Sequence, residues 1–157
     1  MPIRKNTRLK DFDYSQNAIY HITICTADKT NILGKIYAEK DGTACVELSD
    51  IGFIVNEAVK NIHLHYENIT VVNYVIMPNH IHLLLQVDSV SGQKNSARSI
   101  STVIMQLKRI VSIKAGKSIW QKGFYDHIVR NEIDFEEIYQ YIKNNPQKWL
   151  DNSANGF

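Results

Sequence analysis

Two apolar, β-branched runs on either side of Pro78-Asn79 constrain the fold of this chain more than any other feature of its sequence. The runs span residues 71–77 and 81–87, and the dipeptide between them fits the two central positions of a tight turn. The pattern predicts an antiparallel β-hairpin. Because side chains alternate along a strand, we expect His80 and His82 on one face and Ile81, Leu83 and Leu85 on the other.

A His-x-His pair on one strand face can bind a single metal ion, because imidazole is the commonest metal ligand among side chains. The pair alone is weak evidence, since a histidine in an apolar strand is more often a half-buried structural residue. Its interpretation therefore depends on the rest of the chain.

The first third of the sequence predicts two further strands and a helix. Residues 18–26 alternate in polarity and indicate a strand, and residues 43–48 indicate a shorter one. Ser49 and Asp50 are typical helix caps, and they precede a stripe of apolar residues with helical spacing over residues 51–62.

The last third predicts a helix, a strand and a final helix. An apolar stripe over residues 103–111 indicates the first of these helices, and residues 126–129 indicate the strand. Asn131 or Asp134 can cap the final helix, which we expect Pro146 to end. The order of elements predicts an α+β fold: a ferredoxin-like antiparallel sheet with helices on one face, followed by one more helix.

Length and composition set modest bounds. The 157 residues fit one domain, residues 1–157, with a core of its own. A net charge of +2 does not require a nucleic-acid partner, although basic residues cluster locally, and a solvated surface explains them equally well. Cys25 and Cys45 form no CxxC pattern, no signal-peptide-like segment is visible, and no apolar run approaches the roughly 20 residues of a membrane span. We therefore expect a cytoplasmic protein that does not enter the membrane.

The final helix carries two tyrosines on different flanks. Tyr141 lies beside the core stripe, and Asn145 lies one turn later on the same flank, so a phenol and an amide are presented side by side. Tyr139 points toward the opposite flank. Tyrosines at helical spacing are more often packing residues, and this reading stays open for both.

Several motifs together resemble a known family. They are Met77-Pro-Asn-His-Ile-His-Leu-Leu-Leu85, Ile119-Trp-Gln-Lys-Gly-Phe-Tyr-Asp-His-Ile-Val-Arg-Asn-Glu132, Tyr141-Ile-Lys-Asn-Asn-Pro146 and the N-terminal Arg8-Leu-Lys-Asp-Phe-Asp-Tyr14. In this order they closely resemble the single-tyrosine transposases of the HUH nuclease superfamily, most strongly the REP-associated tyrosine transposases. The resemblance covers nearly the whole chain.

The resemblance implies an HUH nuclease fold with the tyrosine on the C-terminal helix. It also implies an enzyme that cuts and rejoins single-stranded DNA at hairpin-containing repeats. His80 and His82 match the metal-binding histidines of the family, and Tyr141 matches its nucleophile. Asn145 matches a polar third ligand that is glutamine in some relatives. Tyr139 is the rival nucleophile.

The implied chemistry suits these residue types. A divalent cation offsets the charge of a phosphodiester, and attack by a tyrosine would leave a 5′-phosphotyrosine link and a free 3′-hydroxyl. Two imidazoles, an amide oxygen and open positions suit an octahedral ion, so we expect Mg²⁺ or Mn²⁺.

The resemblance also implies a single-stranded or hairpin DNA partner, and either a monomer or a homodimer. Basic side chains in the quoted motifs and on the second long helix could contact that DNA. They are Arg8, Lys10, Lys108, Arg109, Lys114 and Arg130. Trp120, Phe124 and Tyr125 could stack on bases, although aromatic residues are more often part of a core.

Two other functions remain open. A metallohydrolase could use the His-x-His pair, although such sites commonly add a nearby Asp or a third His where this chain continues with three leucines. A nonenzymatic nucleic-acid-binding module could have the same sheet, and its histidines would then only pack or stack.

Overall fold

A computed structural model of the chain describes residues 18–88 and 96–154, and these form a four-stranded antiparallel sheet with helices on both faces. The strands are β1 (Ala18–Cys25), β2 (Gly34–Ala38), β3 (Ala44–Leu48), β4 (Ile69–Met77), β5 (His80–Val87) and β6 (Tyr125–Ile128). The helices are α1 (Asp50–Lys60), α2 (Ile62–His65), α3 (Ser96–Ala115) and α4 (Glu132–Ala154). Arg8 and Lys10 lie outside the described residues.

The main sheet has the strand order β4-β5-β1-β6, and each neighbouring pair is antiparallel. With α1 between β1 and β4, and α3 between β5 and β6, this is the ferredoxin-like arrangement. The predicted α+β fold class is confirmed, including the additional C-terminal helix.

The alternation of side chains along the strands creates two separate apolar clusters. The larger one joins the inward faces of β1 and β5, such as Ile22 and Leu83, to α1 and α3. The smaller one joins Leu84, Val129 and Ile142, so α4 packs on the opposite face of the sheet. Because Leu84 follows His82 by two residues, the histidine face of β5 is the face that α4 covers.

The predicted hairpin is confirmed, with Pro78 and Asn79 forming its turn. His80 pairs with Met77 across that turn. On its other side, β5 pairs with β1, and this register places Thr23 directly opposite His82. The histidine pair therefore lies where β1, β4 and β5 meet at one end of the sheet.

A small second sheet departs from the predictions. The short strand predicted over residues 43–48 is present as β3, and it pairs with β2, which the sequence pattern did not predict. β2 is short and mostly exposed, so its sequence lacks the apolar alternation that indicates a strand. By contrast, α1 begins as predicted, with the Ser49 hydroxyl accepting a hydrogen bond from the Gly52 N–H at 3.0 Å.

The prediction that Pro146 ends the last helix is wrong, because α4 continues through it to Ala154. The predicted cap is present at the other end, where the Asn131 side chain accepts a hydrogen bond from the Asp134 N–H at 2.8 Å. Beyond the proline, Gln147 bonds to the backbone of the β2–β3 hairpin, accepting from Ala44 N–H at 2.9 Å and donating to Gly42 C=O at 3.4 Å. These tertiary contacts outweigh the local tendency of proline to stop a helix.

Within residues 18–88 and 96–154, no helix has the length and apolar character that crossing a membrane requires.

Candidate functional site

The residues of two distant motifs meet beneath α4. The rings of His80 and His82 lie 4.8 Å apart, centre to centre, and are nearly perpendicular. The ring of Tyr141 lies 5.2 Å from that of His82, edge to face. Asn145, one turn beyond Tyr141, interacts with the His80 side chain. The fold thus brings together all four residues that the resemblance places at a nuclease site.

His80 has one ring nitrogen committed to a neighbour. Its Nδ1 lies 2.6 Å from Asn79 Oδ1, and an amide oxygen can only accept, so Nδ1 carries the proton. Burial lowers the pKa of His80, a hydrogen bond with Asn145 acts in the opposite direction, and the ammonium of Lys29 lowers the pKa further. At neutral pH the His80 ring is therefore neutral, with its proton on Nδ1 and its lone pair on Nε2.

His82 is more deeply buried, with 4% of its surface exposed. Burial, followed by its proximity to His80 and His21, lowers its pKa to about 3. Its Nδ1 lies 3.0 Å from His21 Nε2 and 3.1 Å from Thr23 Oγ1, whereas its buried Nε2 has no hydrogen-bond partner among the residues that the structure describes. A buried polar atom without a partner is uncommon in folded proteins and fits a missing ligand.

Tyr141 is the more accessible of the two candidate tyrosines at this site, with 45% of its surface exposed. Its ring also lies 6.2 Å from His21, and the Lys148 ammonium lies 5.9 Å from its centre. Tyr139 instead packs 5.9 Å from Phe135 within the smaller apolar cluster. The geometry places Tyr141, rather than its rival, against the histidines.

Asn145 can supply the third donor atom of a metal site. It is buried, with 8% exposed; its Nδ2 donates to the Tyr141 carbonyl at 3.3 Å, and its side chain also hydrogen-bonds with that of His80. No three His, Cys, Asp or Glu side chains cluster suitably for a metal in the described parts of the chain. A site at the histidine pair would therefore depend on an amide oxygen, and the residues present fit that requirement.

The predicted DNA contacts are less well placed. Lys108 donates to the carbonyls of Gln121 and Gly123, both at 2.8 Å, so it holds the loop before β6, and its burial lowers its pKa. Arg109 and Lys114 are exposed, but α3 covers the face of the sheet opposite the histidines. The structure does not bring these three side chains to the site.

Arg130 lies beside the start of α4. It is exposed, and its backbone N–H donates to Asp134 Oδ2 at 2.8 Å. Its side chain is therefore accessible to a ligand near the beginning of the tyrosine helix.

The three aromatic residues near β6 divide between core and surface. Trp120 is buried in the larger apolar cluster, and Phe124 packs against that cluster. Both therefore act as core residues, the more common role of aromatic side chains. Tyr125 is 42% exposed and is the accessible member of the three.

Several residues near the site were not predicted. Trp149 lies 6.3 Å from His80, and with Lys148 it reaches the site because α4 continues past Pro146. His21 lies in the strand predicted over residues 18–26, but its contact with His82 is not predicted because it depends on the pairing of β1 with β5. Helical spacing from Tyr141 was the available signal for Lys148 and Trp149.

Comparison with known proteins identifies relatives of this chain. The IS200-like transposase family model matches residues 14–145. An uncharacterized protein of Haemophilus influenzae is 30% identical over 166 residues, spanning 93% of this chain and 89% of that protein. A candidate REP-associated tyrosine transposase of the same organism is 28% identical over 147 residues, spanning 87% of this chain and 74% of that protein.

Two solved structures share the fold. A REP-associated tyrosine transposase bound to a REP hairpin matches with a TM-score of 0.64 and 17% identity, over 90% of this chain and 73% of that one. A candidate transposase from Deinococcus radiodurans matches with a TM-score of 0.52 and 16% identity, over 87% of this chain and 97% of that one.

The fold and the family match together define a transposase, an enzyme that acts on DNA. The chain belongs to the IS200-like transposase family, and REP-associated tyrosine transposases are among its relatives.

Proposed function

We propose that this transposase cuts and rejoins single-stranded DNA through a covalent link to Tyr141, beside a divalent cation held by His80, His82 and Asn145. One observation carries the proposal. Within residues 18–88 and 96–154 the buried Nε2 of His82 has no hydrogen-bond partner, and the His82 ring lies 5.2 Å from the ring of an accessible tyrosine. Such chemistry needs a phenol as the nucleophile and, close to it, imidazole lone pairs that can bind a metal ion.

The histidines would hold the cation through their Nε2 atoms. Lowered pKa values keep both rings neutral at physiological pH, so no proton has to be displaced before a metal binds. Asn145 Oδ1 would complete the protein donors. When bound, Mg²⁺ or Mn²⁺ would offset the negative charge of the phosphodiester and polarise the phosphorus toward attack.

Tyr141 would act as the nucleophile. Its Oη forms a bond to phosphorus as the phenolic proton is lost to solvent, and the bond from phosphorus to the 3′ oxygen breaks. The leaving oxygen takes up a proton and becomes a 3′-hydroxyl, while the 5′ phosphate stays on the tyrosine. Attack by a 3′-hydroxyl on that link reverses the step, so rejoining needs no nucleotide cofactor.

The substrate we propose is a DNA strand that carries a hairpin, the kind of ligand present in the structure of the REP-associated relative. Charges at the site suit a phosphate backbone: the Lys148 ammonium lies against Tyr141, and Lys29 lies near His80. Arg130 and the N-terminal Arg8 and Lys10 are proposed as further DNA contacts. The family resemblance also suggests that this transposase could form a homodimer, and we keep this as a proposal.

A covalent-trapping experiment tests the proposal. Single-stranded hairpin DNA and Mn²⁺ are incubated with wild-type protein, with Tyr141→Phe and with Tyr139→Phe, a matched loss of one hydroxyl on the same helix. We expect a denaturation-resistant adduct for the wild type and for Tyr139→Phe, and none for Tyr141→Phe.

Each other result has a distinct meaning. An adduct that survives Tyr141→Phe and disappears with Tyr139→Phe would assign the nucleophile to Tyr139. Cleavage without any adduct would favour a metallohydrolase, whereas hairpin binding without cleavage across a panel of hairpins would favour a nonenzymatic module.

A further inference from the structure

His21 of β1 contacts the candidate metal ligand His82 at its Nδ1 atom. Thr23 is directly opposite His82 in the β1–β5 register, and His21 is two residues earlier on the same strand face. His21 Nε2 lies 3.0 Å from His82 Nδ1, and Thr23 Oγ1 lies 3.1 Å from the same atom. In the described part of the chain, His82 Nδ1 therefore has two hydrogen-bonding neighbours, whereas its Nε2 has none.

The position of one proton follows from this arrangement. If His82 carried its proton on Nε2, a buried N–H would point at no acceptor. If the proton is on Nδ1, it is donated to a neighbour, and the lone pair on Nε2 faces the site. Only this second tautomer can act as a ligand through Nε2.

The two neighbours differ in what they can enforce. A threonine hydroxyl rotates and can donate or accept, so Thr23 is compatible with either tautomer. His21 is a half-buried aromatic ring, with its centre 5.1 Å from that of His82 and 6.2 Å from that of Tyr141. A neutral imidazole has one lone pair, which lies in the plane of its ring, so a bond to His21 favours one orientation of the His82 ring.

We propose that His21 is a positioning residue whose Nε2 accepts the Nδ1–H of His82 and so holds His82 Nε2 toward the metal site. The proposal rests on the proposed function, in which His82 is a ligand. It assigns to His21 no contact with the DNA or the metal. Outer partners of this kind commonly change metal affinity by about 10- to 100-fold when they are removed.

The first test needs no metal and no activity. Long-range ¹H–¹⁵N spectra of the metal-free wild-type protein at pH 7 distinguish the two neutral tautomers of each histidine. We expect His82 in the Nδ1–H form, with His21 also protonated on Nδ1. An Nε2–H tautomer of His82 would overturn the proposal, whatever the protein does to DNA.

The second test compares two substitutions at one position. His21→Gln keeps an acceptor oxygen near the site, whereas His21→Leu removes it, and His63→Gln on the exposed end of α2 is a control for histidine loss. We expect Mn²⁺ affinity, measured by titration, to fall about 10- to 100-fold in His21→Leu and to change about threefold or less in His21→Gln and His63→Gln.

The outcomes separate the two proposals. Equal Mn²⁺ affinity for wild type and His21→Leu would exclude a positioning role for His21. A wild-type protein that binds no Mn²⁺ would instead contradict the metal site of the proposed function. If His21→Leu does not fold, the wild-type tautomer decides the question.

Discussion

The ring of Tyr141 lies edge to face against the ring of His82 at 5.2 Å, and both belong to the same chain. α4 therefore brings its tyrosine to the histidines that precede it by about sixty residues in sequence. Nothing has to be supplied by a second copy to place these two groups in contact.

The first prediction is that mixing two inactive variants restores no cleavage. His80→Ala lacks one proposed metal ligand and Tyr141→Phe lacks the proposed nucleophile. Because the complete set lies within one chain, neither variant can complement the other. Cleavage of hairpin DNA by the equimolar mixture should stay at the level of the separate variants. Recovery well above that level would indicate that the helix is exchanged between subunits.

The second prediction concerns the third donor of the metal site. Asn145→Ala removes a buried amide that interacts with His80, and we expect Mn²⁺ affinity to fall about tenfold or more. Asn144→Ala is a matched control, since the preceding asparagine is exposed on the same helix. Titration with Mn²⁺ measures both variants. Equal affinities would remove Asn145 from the coordination sphere.

The third prediction is a loss of stability in mild acid. Burial is the largest cause that lowers the pKa of His21 to about 4 and that of His82 to about 3, whereas in the unfolded chain both stay near 6.5. Below pH 6.5 the unfolded state takes up protons that the folded state does not. The free energy of unfolding should therefore fall as pH decreases from 6.5 toward 4, with an upper limit of about 1.4 kcal/mol per histidine and pH unit.

Denaturant unfolding of metal-free protein between pH 7 and pH 4.5 measures this loss. The slope should be smaller in His21→Gln, which has one buried histidine fewer. Asp134 does not interfere, because its pKa is lowered below its usual 3.8 and it titrates outside this range. A stability that is constant from pH 6.5 to 4.5 would contradict the prediction.

The fourth prediction concerns the attachment of α4 at its beginning. Asp134 Oδ2 accepts hydrogen bonds from His127 Nε2 at 2.9 Å and from the Arg130 N–H at 2.8 Å. These bonds lower the pKa of Asp134 against the effect of its burial, so its charged form stabilises the fold. We expect Asp134→Ala to reduce the free energy of unfolding by about 1–2 kcal/mol, allowing for solvent screening at this partly exposed group.

Glu136→Ala on the same helix is the comparison for Asp134→Ala. Among the described residues its carboxylate accepts one exposed hydrogen bond, from Gln140 four residues later, so its loss should cost about 0.5 kcal/mol or less. Urea unfolding at pH 7 distinguishes the two. Similar costs would show that the Asp134 bonds contribute little beyond an ordinary surface interaction.

Sequence patterns were sufficient for the sheet and for the strand face that His80 and His82 share. Alternation along β5 is a local property, so it could be read without knowledge of any partner strand. The contact between His21 and His82 could not be predicted from a local pattern, because it requires the β1–β5 register. Lys108 shows the same limit: its charge suggested a DNA contact, whereas its ammonium donates to two loop carbonyls.

Pro146 illustrates a local preference that tertiary contacts override. A proline in a helix removes one hydrogen-bond donor, which makes a helix end the reasonable prediction. The contacts of Gln147 with Gly42 and Ala44 depend on the β2–β3 hairpin. This hairpin could not be predicted, because the sequence of β2 lacks a recognisable strand pattern.

The same Gln147 contacts, together with those of Asp134, hold α4 on both sides of Tyr141. Because these contacts attach the helix on both sides of the tyrosine, we expect the phenol to move mainly by rotation about its own side-chain bonds. In the reaction we propose, the scissile phosphate must therefore be delivered to a nearly stationary nucleophile. After cleavage the 5′ end stays tethered at that spot, and whichever 3′-hydroxyl enters next determines the strand to which it is joined.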